Sequence, residues 1–399
     1  MSIWTPLFIL AVYGISLGLG DVVATKTKGM VSSVLILASV FLIGYWTGII
    51  PTEALATSNV PAMVSSVGLA LIICNQGTML DIDQLIQEWR TVVVSLAAVA
   101  GIGLICCTLG AVIFGREYAF CAAAPLSGGM VATIITQGAA QEAGKGAFGG
   151  FAMLVFAFQQ YAGMPLAAYL IKREGTRLRK KGTLMSVETV TAKKFNFRFV
   201  PPVPEKYNSS ALIIGKVVLV CAIGGLIANL TLIPGSAPAN YYLNPNIAYL
   251  LFGVLFTAFG FLDKRAMQKA GAVGFLMFAV LTVVPGSFAG VTPGLFLDML
   301  FPLIGMLVLG VIGIIISSVI FGKLVGYSPE ISVAIGCTAL LGYPATEIVT
   351  KEAAKGFEGT EEEKSALYDQ VIPKMLVGGF VTVTIASVVL AGIIVPHIF

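Results

Sequence analysis

Long apolar segments alternate with short polar ones along almost the whole chain. Ten apolar segments are each about 20 residues long, the length that a helix needs to cross a hydrocarbon core of ~30 Å. They cover residues 4–20, 29–50, 60–80, 91–114, 147–171, 210–233, 242–262, 270–288, 297–322 and 371–396. The pattern predicts an all-α integral membrane protein with ten transmembrane helices.

Two further apolar stretches, 120–141 and 330–350, contain glycine and proline near their middles. These residues are Pro125, Gly128 and Gly129 in the first stretch and Gly342 and Pro344 in the second. Each flanking arm has about ten residues and rises only ~15 Å, half the hydrocarbon thickness. Re-entrant hairpins at about 119–141 and about 329–353 are therefore predicted, and kinked helices that cross are the alternative.

The positions of Lys and Arg help to choose between these alternatives, because cytoplasmic loops of membrane proteins are rich in both. With re-entrant hairpins and a cytoplasmic central linker, only Arg116 and Lys145 of the 24 Lys and Arg residues face outward. If both stretches crossed, the outward residues would be Lys26, Lys28, Arg90, Lys145, Lys351, Lys355, Lys364 and Lys374. The charge pattern favours ten crossings of the cytoplasmic membrane, both termini outside, and one hairpin entering from each face.

A charged segment with several prolines divides the chain into two nearly equal parts. Residues 1–172 form a predicted N-terminal repeat, 173–209 a cytoplasmic basic linker, and 210–399 a C-terminal repeat. The linker contains REGTRLRKKG and AKKFNFRFVPPVPEK. Its place in the topology accounts for its basic residues, and binding of lipid headgroups is the alternative.

Composition limits the possible functions. Hydrophobic residues make up 57% of the chain and charged residues 11%, and the mean hydropathy is +0.94. The net charge of +4 follows the topology and does not indicate a nucleic-acid partner. The sole histidine is His397, and the six cysteines lack the spacing of a metal site. We therefore expect no enzyme and no cofactor, apart from a coupling ion.

The two parts of the chain resemble one another. VIFGR at 112–116 recurs as VIFGK at 319–323, and SVGLALIICN at 66–75 resembles AVGFLMFAVL at 272–281. At a constant shift of 214, Gly128, Ile134, Thr136, Ala139 and Ala140 align with Gly342, Ile348, Thr350, Ala353 and Ala354. Each part has five predicted crossings. Because five is odd, the second copy would be inverted relative to the first, as in many secondary transporters.

The ends of the predicted hairpin arms supply a chemistry for solute binding. At each break the outgoing arm presents unpaired N–H groups and a positive dipole end, which favour an anion such as a carboxylate. The incoming arm presents unpaired carbonyl groups, which suit Na⁺. Two antiparallel half-helices therefore predict adjacent sites for an anion and a cation.

The chain also resembles the bacterial sodium/glutamate symporter family, as a divergent member. The likeness is in the order of helices and hairpins and in LSGG at 126–129, GYPAT at 342–346, GLALIICNQG at 68–77 and VIPK at 371–374. The resemblance implies a homodimer whose hairpin-bearing domains move against a scaffold, as in an elevator. It also implies that Na⁺ and an acidic amino acid bind around the two loops.

The candidate site residues lie mainly in the two hairpins. The candidates for substrate binding are Ser127, Gly128, Gly129, Met130, Thr133, Gly342, Tyr343, Pro344, Ala345, Thr346, Glu347, Asn75, Gln159 and Gln160. The candidates for sodium binding are Ser127, Thr136, Leu341, Thr346 and Thr350. In the alternative interpretation, the hydroxyls bond back to their own helices and the amides bridge helices.

Glu347 is the only carboxylate next to a glycine–proline tip. An ionisable group at membrane depth needs a partner or a cavity, so Glu347 could bind an ammonium group, a cation or a coupling proton. It could equally satisfy backbone N–H groups at the start of its helix.

These patterns together predict a secondary active transporter that works by alternating access. The expected partners are a small organic anion or amino acid, a coupling sodium ion or proton, the lipid bilayer and a second copy of the chain. A uniporter or channel, or an exporter of another small metabolite, is the alternative. A membrane-embedded enzyme or receptor fits less well, because the spans hold no paired carboxylates or Ser–His pair.

Overall fold

The structure, a computed structural model, describes residues 3–27, 33–79, 82–185, 199–201, 203–233, 241–342 and 345–398. Within these ranges the chain is helical, and its only β-type pairing is an isolated bridge between Leu232 and Tyr241. The prediction of an all-α protein is confirmed.

The main helices follow one another with short connections. In chain order they are α1 (Pro6–Lys26), α2 (Ser33–Trp46), α3 (Leu69–Met79), α4 (Trp89–Phe114), α5 (Arg116–Ala123), α6 (Met130–Glu142), α7 (Gly146–Lys180), α8 (Ser210–Leu230), α9 (Pro245–Ala258), α10 (Val273–Ser287), α11 (Pro293–Leu324), α12 (Pro329–Cys337), α13 (Ala345–Lys355) and α14 (Glu361–His397). Among the described residues, six helices are long and apolar enough to cross a membrane: α1, α4, α7, α8, α11 and α14. The protein therefore spans a membrane.

The other four predicted spans correspond to shorter apolar helices, α2, α3, α9 and α10. The described part of α2 and the whole of α9 have 14 residues each and rise only ~21 Å, less than the ~30 Å of hydrocarbon. A π-helical turn, Val64–Gly68, precedes α3. A helix of about 14 residues crosses a membrane if the bilayer thins locally or if flanking residues complete the span.

Side chains cap the first turns of several helices. Thr5, Ser209, Thr292, Ser328 and Thr360 each accept a hydrogen bond from the backbone N–H three residues later. The first N–H groups of a helix have no partner within it, so each cap satisfies one of them. These caps explain why the helices begin where they do.

Glycines let the central helices cross closely. A Cβ on Gly101 of α4 would lie 2.5 Å from the carbonyl oxygen of Gly313 in α11, and a Cβ on Gly313 would lie 2.5 Å from the carbonyl oxygen of Gly101. Similarly, a Cβ on Gly77 of α3 would lie 2.7 Å from the carbonyl oxygen of Leu250 in α9. Small residues at such crossings are typical of helices packed within membranes.

Helix α7 continues beyond the predicted span. The apolar run ends at residue 171, but the helix reaches Lys180 and includes the first part of the predicted linker. Its last turns are rich in Arg, Lys and Glu, which are good helix formers. Arg177, Arg179 and Lys180 also lie in the last turn, where positive charge stabilises the helix dipole.

Candidate functional site

Both glycine-containing stretches are broken helices in the structure. A 3₁₀ turn at Pro125–Ser127 separates α5 from α6, and another at Thr338–Leu340 precedes the gap between α12 and α13. Gly128 and Gly342 have φ values of +86° and +66°, in the left-handed region that favours glycine. Neither stretch is a continuous helix.

The two breaks lie against each other. We call residues 125–129 the first tip and residues 338–342 the second tip. A Cβ on Gly128 would overlap the carbonyl oxygen of Ala339, and a Cβ on Gly342 would lie 3.9 Å from the carbonyl oxygen of Gly128. The tips are therefore in backbone contact.

Helix α14 covers this contact. Val383, in its π-helical turn Val381–Ala386, has a methyl group 3.1 Å from the Cβ position of Gly128 and 3.6 Å from that of Gly342. Ser387, one turn further on, lies against Gly129. π-Helical turns are frequent at functional sites because they disturb the regular hydrogen bonds of a helix.

Helices α7 and α11 complete the surroundings of the tips. A Cβ on Gly163 of α7 would lie 2.8 Å from Cβ of Leu340, and a Cβ on Gly310 of α11 would lie 3.0 Å from Leu126. The sodium-site candidate Leu341 also packs beside Gly163 and is buried. The side chains that contact the tips in this way are all neutral.

The candidate hydroxyl groups are fully or almost fully buried around the tips. Ser127 donates to Ala124 O (2.5 Å), Thr133 to Gly129 O (2.9 Å), Thr136 to Ala132 O (2.9 Å), Thr346 to Gly342 O (2.9 Å) and Thr350 to Thr346 O (2.7 Å). Each hydroxyl proton is therefore directed at the residue's own helix. The oxygen lone pairs remain as acceptors, and acceptors favour a cation or an ammonium group.

The start of α6 offers donors near the same place. Gly129 is the N-cap of α6 and provides no side-chain hydrogen bond, so the first-turn N–H groups have no capping side chain. Met130 is the first residue of this helix and is half-buried. In the second stretch, α13 begins at Ala345, and the candidates Tyr343 and Pro344 lie outside the described residues.

Two buried glutamines have polar atoms without a hydrogen-bond partner. They are Gln137 of α6, through Nε2, and Gln159 of α7, through Oε1. Gln159 is 1% exposed and lies one turn before Gly163, so it is near the second tip. A buried amide atom costs stability unless something bonds to it, so Gln159 is a candidate ligand. Gln160 is half-buried.

Glu347 lies in the first turn of α13 and is half-buried. It makes no ion pair with a cation among the described residues. Its position at a helix N-terminus suits a carboxylate, because the dipole end is positive there. The geometry is compatible with both interpretations of this residue.

Asn75 has a different environment. Its Oδ1 accepts from the backbone N–H of Met267 (3.0 Å), and its neighbour Thr78 accepts from the N–H of Ala266 (3.2 Å). Both bonds anchor the short helix Ala266–Lys269 to α3. The amide of Asn75 therefore bridges two parts of the fold and is not directed at the tips.

Two cavities lie away from the tips, at the end of α7. Their volumes are about 170 and 620 Å³, and none of their lining residues belongs to either tip. Arg177 lines both, and it pairs with Glu174, a carboxylate that is 4% exposed. Sequence reasoning missed Glu174 and Ser328, although a single acid within the basic run 172–181 was a visible signal.

No model of a known protein family matches the chain, and no curated protein matches it either.

Proposed function

We propose that the protein is a secondary active transporter that couples Na⁺, or alternatively a proton, to the movement of a small organic anion or amino acid. The observation that carries this proposal is the backbone contact between the two tips, at Gly128 and Ala339. Broken helices that meet inside a membrane protein bring unpaired backbone groups together, and secondary transporters use such groups to bind solutes and ions.

The cation would use oxygen acceptors around the tips. Thr136 and Thr350 direct their protons to their own helices and keep oxygen lone pairs available. Hard cations such as Na⁺ prefer oxygen ligands from hydroxyl and carbonyl groups. Neutral ligands also suit a site that must release its ion in every cycle.

The anionic group of the solute would bind the uncapped start of α6. The free N–H groups there and the positive dipole end favour a carboxylate without a basic side chain. The free Oε1 of Gln159 would accept from an ammonium or hydroxyl group of the same solute. This combination favours an amino acid or hydroxy acid over a purely apolar solute.

The proposed transporter has ten crossings arranged as two inverted repeats. Equivalent helices make equivalent contacts in the two parts, since α1 packs on α2 as α8 packs on α9. The reciprocal contact of Gly101 with Gly313 is also what a pseudo-two-fold axis between α4 and α11 would produce. We further propose that two copies form a homodimer and that the hairpins move in an elevator manner.

The contact between the tips leaves no space for a solute between them. Binding would separate Gly128 from Ala339, and alternating access would follow from that movement. The direction of transport then depends on the ion and solute gradients.

Uptake into proteoliposomes tests the proposal. The purified protein is expected to take up at least one member of a panel of amino acids and dicarboxylates in a saturable, Na⁺-dependent manner. Replacing the hydroxyls with Thr136→Val and Thr350→Val should raise the Na⁺ concentration for half-maximal uptake about tenfold per hydroxyl, since a hydrogen bond or ligand to a charge contributes about 1.5 kcal/mol.

The matched control is Thr25→Val. Thr25 makes the same backbone hydrogen bond, to Asp21 O at 2.8 Å, but lies on the exposed side of α1. Its Na⁺ dependence should equal that of the wild type. Flux that does not saturate and needs no ion would indicate a channel or uniporter. Absence of Na⁺- and H⁺-dependent uptake and of any thermal shift across the panel would reject the proposal.

A further inference from the structure

The larger cavity, of about 620 Å³, lies between the end of α7, the start of α12 and the loop after α13. We call it the basic pocket. Its charged lining consists of Lys172, Arg173, Arg177, Arg179 and Lys180 on α7, with Glu330 and Glu358 opposite. With Glu174 and Glu363, which pair with two of these arginines, five positive groups face four negative ones, so a small excess of positive charge remains.

Three of the cations are held in fixed positions. Arg173 lies 3.6 Å from Glu330. Arg177 donates twice to the buried Glu174, at 2.8 and 2.6 Å. Glu174 also accepts from Ser328, the N-cap of α12, at 2.6 Å. The guanidinium groups are therefore oriented before any ligand arrives.

Arg179 is fixed on the other side of the pocket. It donates to the carbonyl oxygen of Glu358 at 2.6 Å, and its guanidinium lies 5.2 Å from the ring centre of Phe357. It also lies 3.7 Å from Glu363. Planar guanidinium groups held in this way are well suited to the oxygens of a phosphate.

Lys172 and Lys180 are different, since neither forms an ion pair with a described acidic residue. The ammonium group of Lys172 lies over the backbone of Gly356, where a Cβ would be 2.8 Å from Nζ. Two uncompensated ammonium groups beside fixed guanidinium groups attract an anion with several oxygens.

The height of the pocket along α7 indicates where this anion comes from. Lys172 directly follows Ile171, the last residue of the apolar run in a membrane-spanning helix. Tyr169, one turn earlier, lines the pocket and is 58% exposed. Exposed tyrosines mark the level of lipid headgroups in membrane helices. The pocket therefore opens at the depth of the phospholipid phosphates.

We propose that the basic pocket binds the phosphate group of an anionic membrane phospholipid. The phosphate contacts Lys172, Lys180 and the outward-facing nitrogen atoms of the fixed arginines, while the acyl chains lie along the apolar part of α7. Because α7 and the loop after α13 both contribute, the bound lipid joins the two parts of the chain. This proposal is independent of what the protein transports.

Thermal unfolding of the full-length protein in a neutral detergent tests the proposal. Titration with phosphatidylglycerol is expected to raise the unfolding midpoint in a saturable manner. Phosphatidylcholine, whose headgroup has no net charge, should give a much smaller change. Inorganic phosphate alone should need at least a hundredfold higher concentration, because it lacks the acyl chains.

Substitution of the pocket lysines tests whether phosphatidylglycerol acts at the basic pocket. Each basic side chain near an anionic lipid strengthens binding by about fivefold, so Lys172→Gln with Lys180→Gln should weaken the response to phosphatidylglycerol about 25-fold. The matched control is Lys26→Gln with Lys323→Gln. It removes the same charge from two exposed lysines at the ends of other helices and should leave the titration unchanged.

The conservative pair Lys172→Arg with Lys180→Arg keeps the charges and should retain the response. Three results would overturn the proposal: equal shifts with phosphatidylglycerol and phosphatidylcholine, equal weakening by the two Gln pairs, or saturation by inorganic phosphate at the lipid's concentration. The last result would make the ligand a soluble phosphate.

Discussion

At the scale of single residues, Gly128 combines two properties that no other amino acid has together. Its φ of +86° is strained for a side-chain-bearing residue, and its missing Cβ leaves room for the carbonyl oxygen of Ala339. Gly342 shares the left-handed conformation, but the space around its Cβ position is larger. The closest contact between the two broken helices therefore depends on one glycine.

Gly128→Ala is expected to lower the free energy of unfolding by about 3 kcal/mol, from left-handed strain and overpacking together. Uptake should fall at least tenfold, because the tips can no longer meet. Gly138→Ala is the control in the same stretch, since nothing lies within 4 Å of its Cβ position. Thermal unfolding and uptake are measured for both variants. Equal values for the two would contradict the role of Gly128 in the contact between the tips.

The residues that break the two stretches were accessible to sequence reasoning, because glycine and proline act on the local backbone. Their partners were not. Ala339 and Val383 contact Gly128 only through tertiary packing. Asn75 was a candidate for solute binding, but its Oδ1 bonds to a backbone N–H 192 residues away, and no local pattern encodes such a partner.

At the scale of elements, the junction between α7 and α12 is organised by one buried carboxylate. Glu174 receives hydrogen bonds from Arg177 and from Ser328, and Ser328 in turn caps α12 through the N–H of Ile331. Glu174, Arg177 and Ser328 therefore all have hydrogen-bond partners at this junction. The start of the second broken helix is thereby tied to the end of α7.

Glu174→Ala is expected to cost about 2 to 3 kcal/mol of unfolding free energy, because it leaves Arg177 and Ser328 without their partner in a largely buried place. Glu361→Ala removes a comparable pair three residues apart, with Lys364 at 2.8 Å, but Glu361 is 87% exposed. This control substitution should lower the free energy of unfolding by less than about 0.5 kcal/mol. Chemical unfolding in detergent gives both values, and similar losses would show that Glu174 is not a structural anchor.

Stability should also depend on pH through Asp263, in the loop between α9 and α10. Burial raises the pKa of this carboxyl, but hydrogen bonds from Lys269 and Asn208 and the nearby positive charge outweigh it, so the net pKa is lowered from 3.8. The stabilisation is therefore present above pH ~3.8 and is lost as the pH falls through the lower folded-state pKa.

Asp263→Asn should reduce the free energy of unfolding at pH 7 by about 0.5 kcal/mol, the usual size for a partly exposed ion pair. Unfolding midpoints measured from pH 7 to 3 should show the difference between wild type and variant shrinking at the acid end. Lys269→Gln should reproduce this behaviour. A difference that stays constant over the whole range would exclude the ion pair as its cause.

Sequence patterns located the helices well and their ends poorly. The apolar run of α7 ends at 171, yet the helix continues to Lys180 because its charged residues are good helix formers and pack beside α12. Length was also overestimated for α9, which has 14 residues. Apolar composition indicates burial or lipid contact, but it does not indicate the residue at which a helix ends.

At the scale of the whole molecule, the number of crossings decides the topology. Six helices have spanning length, and α2, α3, α9 and α10 are shorter. If all ten cross, the segment 47–59 lies on the same side as Thr292, and the loop 259–272 lies on the side of Lys323. If only six cross, both relations reverse, because α2 and α3 return to the side they left, as do α9 and α10.

Cysteine labelling distinguishes the two topologies. Thr57, Gln268, Thr292 and Lys323 are all exposed, whereas five of the six native cysteines are buried and Cys107 is partly buried. Each exposed residue is replaced singly by Cys and treated with a membrane-impermeant maleimide on intact cells, with the wild type as the background.

Ten crossings with the termini outside predict that Thr57→Cys and Thr292→Cys react and that Gln268→Cys and Lys323→Cys do not. The comparison holds even if the orientation is opposite, because Thr57 then still behaves like Thr292. Reactivity that groups Thr57 with Lys323, and Gln268 with Thr292, would reduce the protein to six crossings. The two parts of the chain would then have three crossings each, still an odd number, so an inverted repeat would survive while the ten-helix plan would not.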